Sequence, residues 1–183
     1  MFTIKKKKLI FKNQVYKVYS NYIKSKTFII KDYLSLEVKG KVYGGVCCII
    51  LNNNKIGLMK IYSPIAKTYF YSLIQGFTNY KESISDAVRR EVSEETGINE
   101  RKKNFKMICG IYPIQSLIKS KLAIFKLKLK TINKKNFKKV KTEIGVGKLY
   151  FFELKKLKKM LKKPNSFDLI SFSALTYFLF LRK

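Results

Sequence analysis

Apolar and polar residues alternate with a period of two along much of this chain, and β-branched and aromatic residues fill the alternation. That pattern predicts strands near 15–19, 27–38 and 42–51. Asn52-Asn53-Asn54 predicts a turn into a strand at 55–62, so the pair reads as a hairpin. A further strand is expected at 69–74, and others near 105–112, 121–130 and 147–152. Helices are expected near 153–163 and 166–181, separated by the breaker Pro164-Asn165.

The period changes once, sharply, in the middle of the chain. Ile84, Val88 and Val92 recur every four residues and predict an amphipathic helix with one buried stripe. Ser83 is placed to cap its N-terminus, with Asp86 in a capping-box-like position near the positive helix end. Gly97, followed by Ile98, is placed to close it with a left-handed C-cap.

Charge then singles this helix out. The protein has 183 residues and a formal net charge of +29, yet five of its eleven carboxylates (Glu82, Asp86, Glu91, Glu94, Glu95) fall within 14 residues. Clustered like charges repel, and a cation among them removes that cost. Glu91, Glu94 and Glu95 stand at i, i+3 and i+4, so they project from adjoining positions on the helix. Oxygen donors without thiolate or imidazole suit a hard divalent cation, Mg²⁺ or Mn²⁺.

Two further features narrow the chemistry. The chain has no histidine, which excludes His-ligated zinc, Ser-His-Asp catalysis and a histidine general base. Only four of forty basic residues are arginine (Arg89, Arg90, Arg101, Arg182), and two of them lie in this helix. An arginine where lysine is the rule marks a place that needs a planar fork to hold carboxylates. Arg90 can reach Glu94 on its own helix or Glu82 in the preceding loop.

The spacing of Gly76, Glu82, Arg90-Glu91-Val92, Glu94-Glu95 and Gly97-Ile98 resembles the Nudix box at every defining position. The resemblance implies an α/β fold, the Nudix α/β/α sandwich with a mixed β-sheet, and Mg²⁺-dependent hydrolysis of a nucleoside diphosphate linked to another group. It implies Glu91 and Glu95 as principal metal ligands, with Glu94 bridging or supporting and the carbonyl of Gln75 as a further contact. Glu82 and Arg90 would shape the surrounding shell.

The order of elements is similar to the ADP-ribose pyrophosphatase (ADP-sugar diphosphatase) branch, which implies a small N-terminal antiparallel β extension over 1–40 and a Nudix domain over 41–183. Residues 57–62 and 72–76 occupy the places of that branch's flanking motifs, but its Arg, Glu and Pro positions are not matched. The branch carries a catalytic glutamate on a late loop. Glu143, the one carboxylate between Arg101 and Phe152, stands there as candidate general base. Tyr16, Tyr19, Tyr22, Phe28, Tyr33, Phe70 and Tyr112 are candidates to stack on a base. The resemblance also implies a homodimer built on the N-terminal strands.

Composition adds little more. A hydrophobic fraction of 46% supports a folded globule, and the three cysteines lie in apolar runs that read as reduced and buried. No signal peptide is expected, since 5–8 lead into a short apolar stretch, and a cytoplasmic setting fits. The apolar tail 169–181 is too short to span a bilayer, so no membrane partner is expected. The lysines are spread over the chain in the manner of a compositional bias, so the expected partner is a small nucleotide substrate, with nucleic acid less favoured. An RNA 5′-end pyrophosphohydrolase and a non-catalytic nucleotide-binding Nudix-fold protein are the alternative functions.

Overall fold

The computed structural model describes residues 2–38, 42–130 and 148–181. Two compact units divide the chain: Met1–Gly44 with Ile111–Leu122, and Gly45–Gly110 with Ala123–Lys183.

The smaller unit holds a three-stranded antiparallel sheet of β1 (Thr3–Lys12), β2 (Tyr16–Lys24) and β3 (Ile29–Val38), in that order. Asn13 makes the first turn by accepting from the backbone N–H of Val15 and Tyr16. Asn21 is fully buried in β2, and its amide donates to the Tyr33 carbonyl and to Ser35 Oγ, so burial leaves those donors satisfied. The segment 111–122 pairs alongside β3: Leu36 N donates to Leu117 O at 2.7 Å, and the Leu36 carbonyl accepts from Lys119 N at 3.0 Å. Glu37 binds the ammonium groups of Lys7 and Lys119 there. The alternation pattern missed β1 altogether, because all ten of its residues are exposed and no buried face imposes a period.

The larger unit is a mixed seven-stranded sheet with helices, the α/β arrangement expected from the sequence. Its strands are β4 (Tyr43–Asn52), β5 (Lys55–Ser63), β6 (Thr68–Ser72), β7 (Ile74–Phe77), β8 (Phe105–Ile111), β9 (Lys121–Leu129) and β10 (Leu149–Glu153). The path β10-β5-β4-β9-β8 is hydrogen-bonded in that order. Val46 to Ile50 are buried at successive positions, as are Ile56 to Met59, so both faces of the sheet are covered there. The Asn53-Asn54 turn joins β4 and β5 as expected, with Asn53 at φ 48°.

The strand expected at 69–74 is two strands. β6 pairs with β5, and β7 pairs with β4, with Leu73 at the break. Its freed N–H donates to Ser171 Oγ at 2.8 Å, and Ser171 is itself fully buried in α3 (Leu169–Thr176). The C-terminal helix expected over 166–181 is thus shorter and is followed by a π-helical turn at Tyr177–Leu181. Asp168 caps α3 by accepting from Ser171 N. Before it, α2 spans Leu154–Met160, and α1 spans Ile84–Thr96. Among the described residues no helix is long and apolar enough to cross a membrane.

Candidate active site

α1 forms where its stripe and caps require it. Ala87, Val88 and Val92 are fully buried, and the helix packs on β7. Ser83 Oγ accepts from Asp86 N and donates to the Asp86 carboxylate, while Lys102 Nζ binds the same carboxylate at 2.7 Å. Gly97 adopts φ 73° and returns its N–H to Ser93 O at 2.8 Å, which is the left-handed closure a Cβ would strain.

Arg90 is the centre of the site. Its Nε donates to Glu82 Oε1 at 2.9 Å and one Nη2 donor to Glu82 Oε2 at 3.1 Å, a bidentate fork. Nη1 donates to Glu91 Oε1 at 2.7 Å and Glu94 Oε2 at 2.8 Å, and Nη2 also reaches the Phe77 carbonyl at 2.8 Å. Five N–H donors thereby meet five acceptors, which only a guanidinium can do. The two partners weighed from sequence, Glu82 and Glu94, are both bound, and Glu91 and Phe77 O join them.

Glu82 is held from a second side, since Asn79 N donates to Oε2 at 2.8 Å. The loop that allows this places Lys81 at φ 62°. Partial burial pushes the Glu82 carboxyl up, but the Arg90 and Asn79 hydrogen bonds outweigh it and hold it below the ordinary carboxylate range. Arg90 is correspondingly raised above its usual value by the same Glu82 bonds, against the opposing effect of burial.

Glu91 lies on the buried face of α1, beside Val88 and Val92, at 5% exposure. Gly76 in β7 explains how it fits. A Cβ at Gly76 would overlap the Glu91 carboxylate where it is seated, so any side chain at this point requires Glu91 to move. β7 is placed by its pairing with β4, Val46 opposite Gly76 and Cys47 opposite Gln75. Gln75 therefore adjoins the glycine against which Glu91 rests. Its side-chain amide donates to Ser72 Oγ at 3.1 Å. Glu94 is exposed, while Glu95, one residue on, has its Oε2 sealed from solvent.

The structure thus gathers Glu82, Arg90, Glu91 and Glu94, sets Glu95 on the same helix and Gln75 on the adjoining strand. Glu143 lies outside the described residues. Among those residues no three of Asp, Glu, Cys and His converge as a ready-made metal cluster. In kind, the donors fit a hard divalent cation: they are carboxylate oxygens and a backbone carbonyl. The contacts that sequence reasoning missed are Phe77 O, Asn79 N and the Lys102 ammonium. The first two are main-chain groups and leave no trace in residue identity.

Residues 43–119 match the family model of the NUDIX domain. Its fold is similar to that of a solved ADP compounds hydrolase, with a TM-score of 0.73 and 17% sequence identity, over 97% of this chain and 91% of that one. No curated protein sequence matches the chain.

Proposed function

We propose that this protein is a divalent-metal-dependent hydrolase that cleaves the pyrophosphate bond of ADP-ribose or another nucleotide sugar, giving a nucleoside monophosphate and a sugar phosphate. The observation that carries the reading is the Arg90 guanidinium, with every donor engaged, holding Glu82, Glu91 and Glu94 around a glycine that leaves room for the Glu91 carboxylate. The Nudix domain match supports hydrolysis of a nucleoside diphosphate derivative, and the likeness to an ADP compounds hydrolase supports an ADP compound as substrate.

Glu91, Glu94, Glu95 and the Gln75 carbonyl would hold Mg²⁺ or Mn²⁺. Such an ion supplies charge neutralisation at the diphosphate and a bound water of lowered pKa. Arg90 positions Glu91 and Glu94 by charge-assisted hydrogen bonds. Glu82 in turn locks the guanidinium plane from the loop side. Glu143 is proposed to take the proton from the attacking water. A homodimer through the N-terminal strands belongs to the same proposal.

A hydrolysis screen with Mg²⁺ over ADP-ribose, GDP-mannose, NADH, dinucleoside polyphosphates, nucleoside triphosphates and 5′-triphosphorylated RNA tests the reading. Activity is expected on a nucleotide sugar and lost in Glu94→Gln. Equal activity of that variant would sink the metal-site assignment, and turnover confined to RNA ends would replace the substrate. Glu143→Gln should lower kcat about a hundredfold or more with metal binding retained.

A further inference from the structure

Between Arg101 and Lys130 the chain has nine basic residues and no carboxylate. The fold collects four of those lysines in one concavity of about 670 Å³, lined by Lys103, Lys106, Lys128 and Lys130 with Glu100 and Asn104. Lys128 and Lys130 are two residues apart, so the alternation of the chain turns both to one side while Leu127 and Leu129 stay buried. Lys106 comes from β8, the edge neighbour of β9, and Lys103 from the short 3-10 turn before it.

None of the four ammonium groups forms a salt bridge with a described residue, whereas the adjacent Lys102 is bound to Asp86. Glu100, the single acid in the lining, takes the Asn104 amide on its Oε2 at 2.6 Å. Four like charges facing one hollow repel each other and raise a positive potential there, which a chain of phosphates relieves. The lining offers no aromatic or aliphatic side chain, so it has no platform for a base.

We propose that this groove binds the phosphodiester backbone of nucleic acid, without regard to base sequence. The contacts are ammonium to phosphate, the class that positions a strand and carries no sequence information. This goes beyond the hydrolytic reading and stands independently of it.

A second lysine-lined cavity provides the control. Lys155, Lys158, Lys159 and Lys162 surround one of about 420 Å³ whose lining includes Leu161, Phe172 and Phe180, and Lys158 lies over the Phe180 ring. Replacing either set of four by glutamine removes the same charge. Anisotropy of a labelled single-stranded RNA of about 20 nucleotides would be followed between about 50 and 200 mM salt. The groove variant (K103Q, K106Q, K128Q, K130Q) should bind at least about tenfold more weakly, with the salt slope reduced by roughly 3, and the control variant should lose less than about threefold.

Equal losses in the two variants would show diffuse charge and overturn the proposal, as would absence of binding by the wild type. Preference for inorganic polyphosphate over RNA at equal phosphate concentration would overturn the nucleic-acid assignment. Crosslinking of the wild-type complex gives an answer that needs no variant: adducts are expected at 103–106 and 128–130, and adducts confined to 155–162 would overturn it. Nucleotide-sugar hydrolysis by the groove variant should match wild type, so loss of one property leaves the other legible.

Discussion

Helix α1 and strand β1 are similar in length and opposite in character. In α1, three residues are fully buried, and its acids Glu91 and Glu94, with Glu82 from the preceding loop, answer to one arginine. In β1, all ten residues are exposed, including Leu9, Ile10 and Phe11, and the only ion pair it makes among the described residues is Lys7 with Glu37. The lesson is that burial writes a pattern into sequence and exposure does not. A helix with one face in the core must repeat every 3.6 residues, and a caged acid must have a partner at a fixed spacing. A strand with neither face covered is free of both constraints.

The sharpest way to break this contrast is at Gly76. Gly76→Ala should displace the buried Glu91 carboxylate from its seat and from Arg90, costing about 1–3 kcal/mol of stability. Hydrolysis should fall more than about a hundredfold, since even partners of metal ligands are worth roughly 10–100-fold. Normal turnover with normal thermal stability would show that Glu91 has room to move and that the cage is not closed.

Arg90→Lys comes next. It keeps the charge and loses the fork, so five hydrogen bonds become three at most. Activity should drop about 10–100-fold, with Tm lowered by only a few degrees. A variant equal to wild type in kcat/KM would show that a point charge suffices.

The third effect is a pH dependence. Glu82 is depressed in the folded protein, so its contribution is fully present above its unfolded value near 4.5 and is lost as pH falls through the folded value. Denaturant unfolding between neutral and acid pH should show the wild type losing stability more steeply than Glu82→Gln in that window. Parallel curves would show that Arg90 does not hold the carboxylate ionised. Asp86 and Glu37 are also depressed, which is why the comparison needs the variant rather than the wild-type curve alone.

The smallest effect belongs to β1. Leu9→Ser should change stability by no more than about 0.5 kcal/mol, because Leu9 is 46% exposed. The same substitution at Val92, which has no exposure, should cost several times as much. A large, protein-concentration-dependent loss at Leu9 would sharpen the comparison differently, by showing that a second copy of the chain covers β1 in solution.

Local constraints were legible in advance. The four-residue stripe, the Ser83 and Gly97 caps, the Asn53-Asn54 turn and the spacing of Gly76, Glu82, Arg90, Glu91, Glu94 and Glu95 are all properties of residues close along the chain, where dihedral preference and helical geometry act directly. Tertiary structure decided the rest. It broke the expected strand at Leu73, because β6 follows β5 while β7 follows β4 and Ser171, far away in sequence, receives the stranded N–H. It brought Phe77 O and Asn79 N to the site, where main-chain groups of any residue type would serve. It also gathered, from lysines scattered along the whole chain, Lys103, Lys106, Lys128 and Lys130 into one groove. Period and spacing are short-range and survive in the sequence; which distant backbone meets which side chain is settled only when the sheet closes.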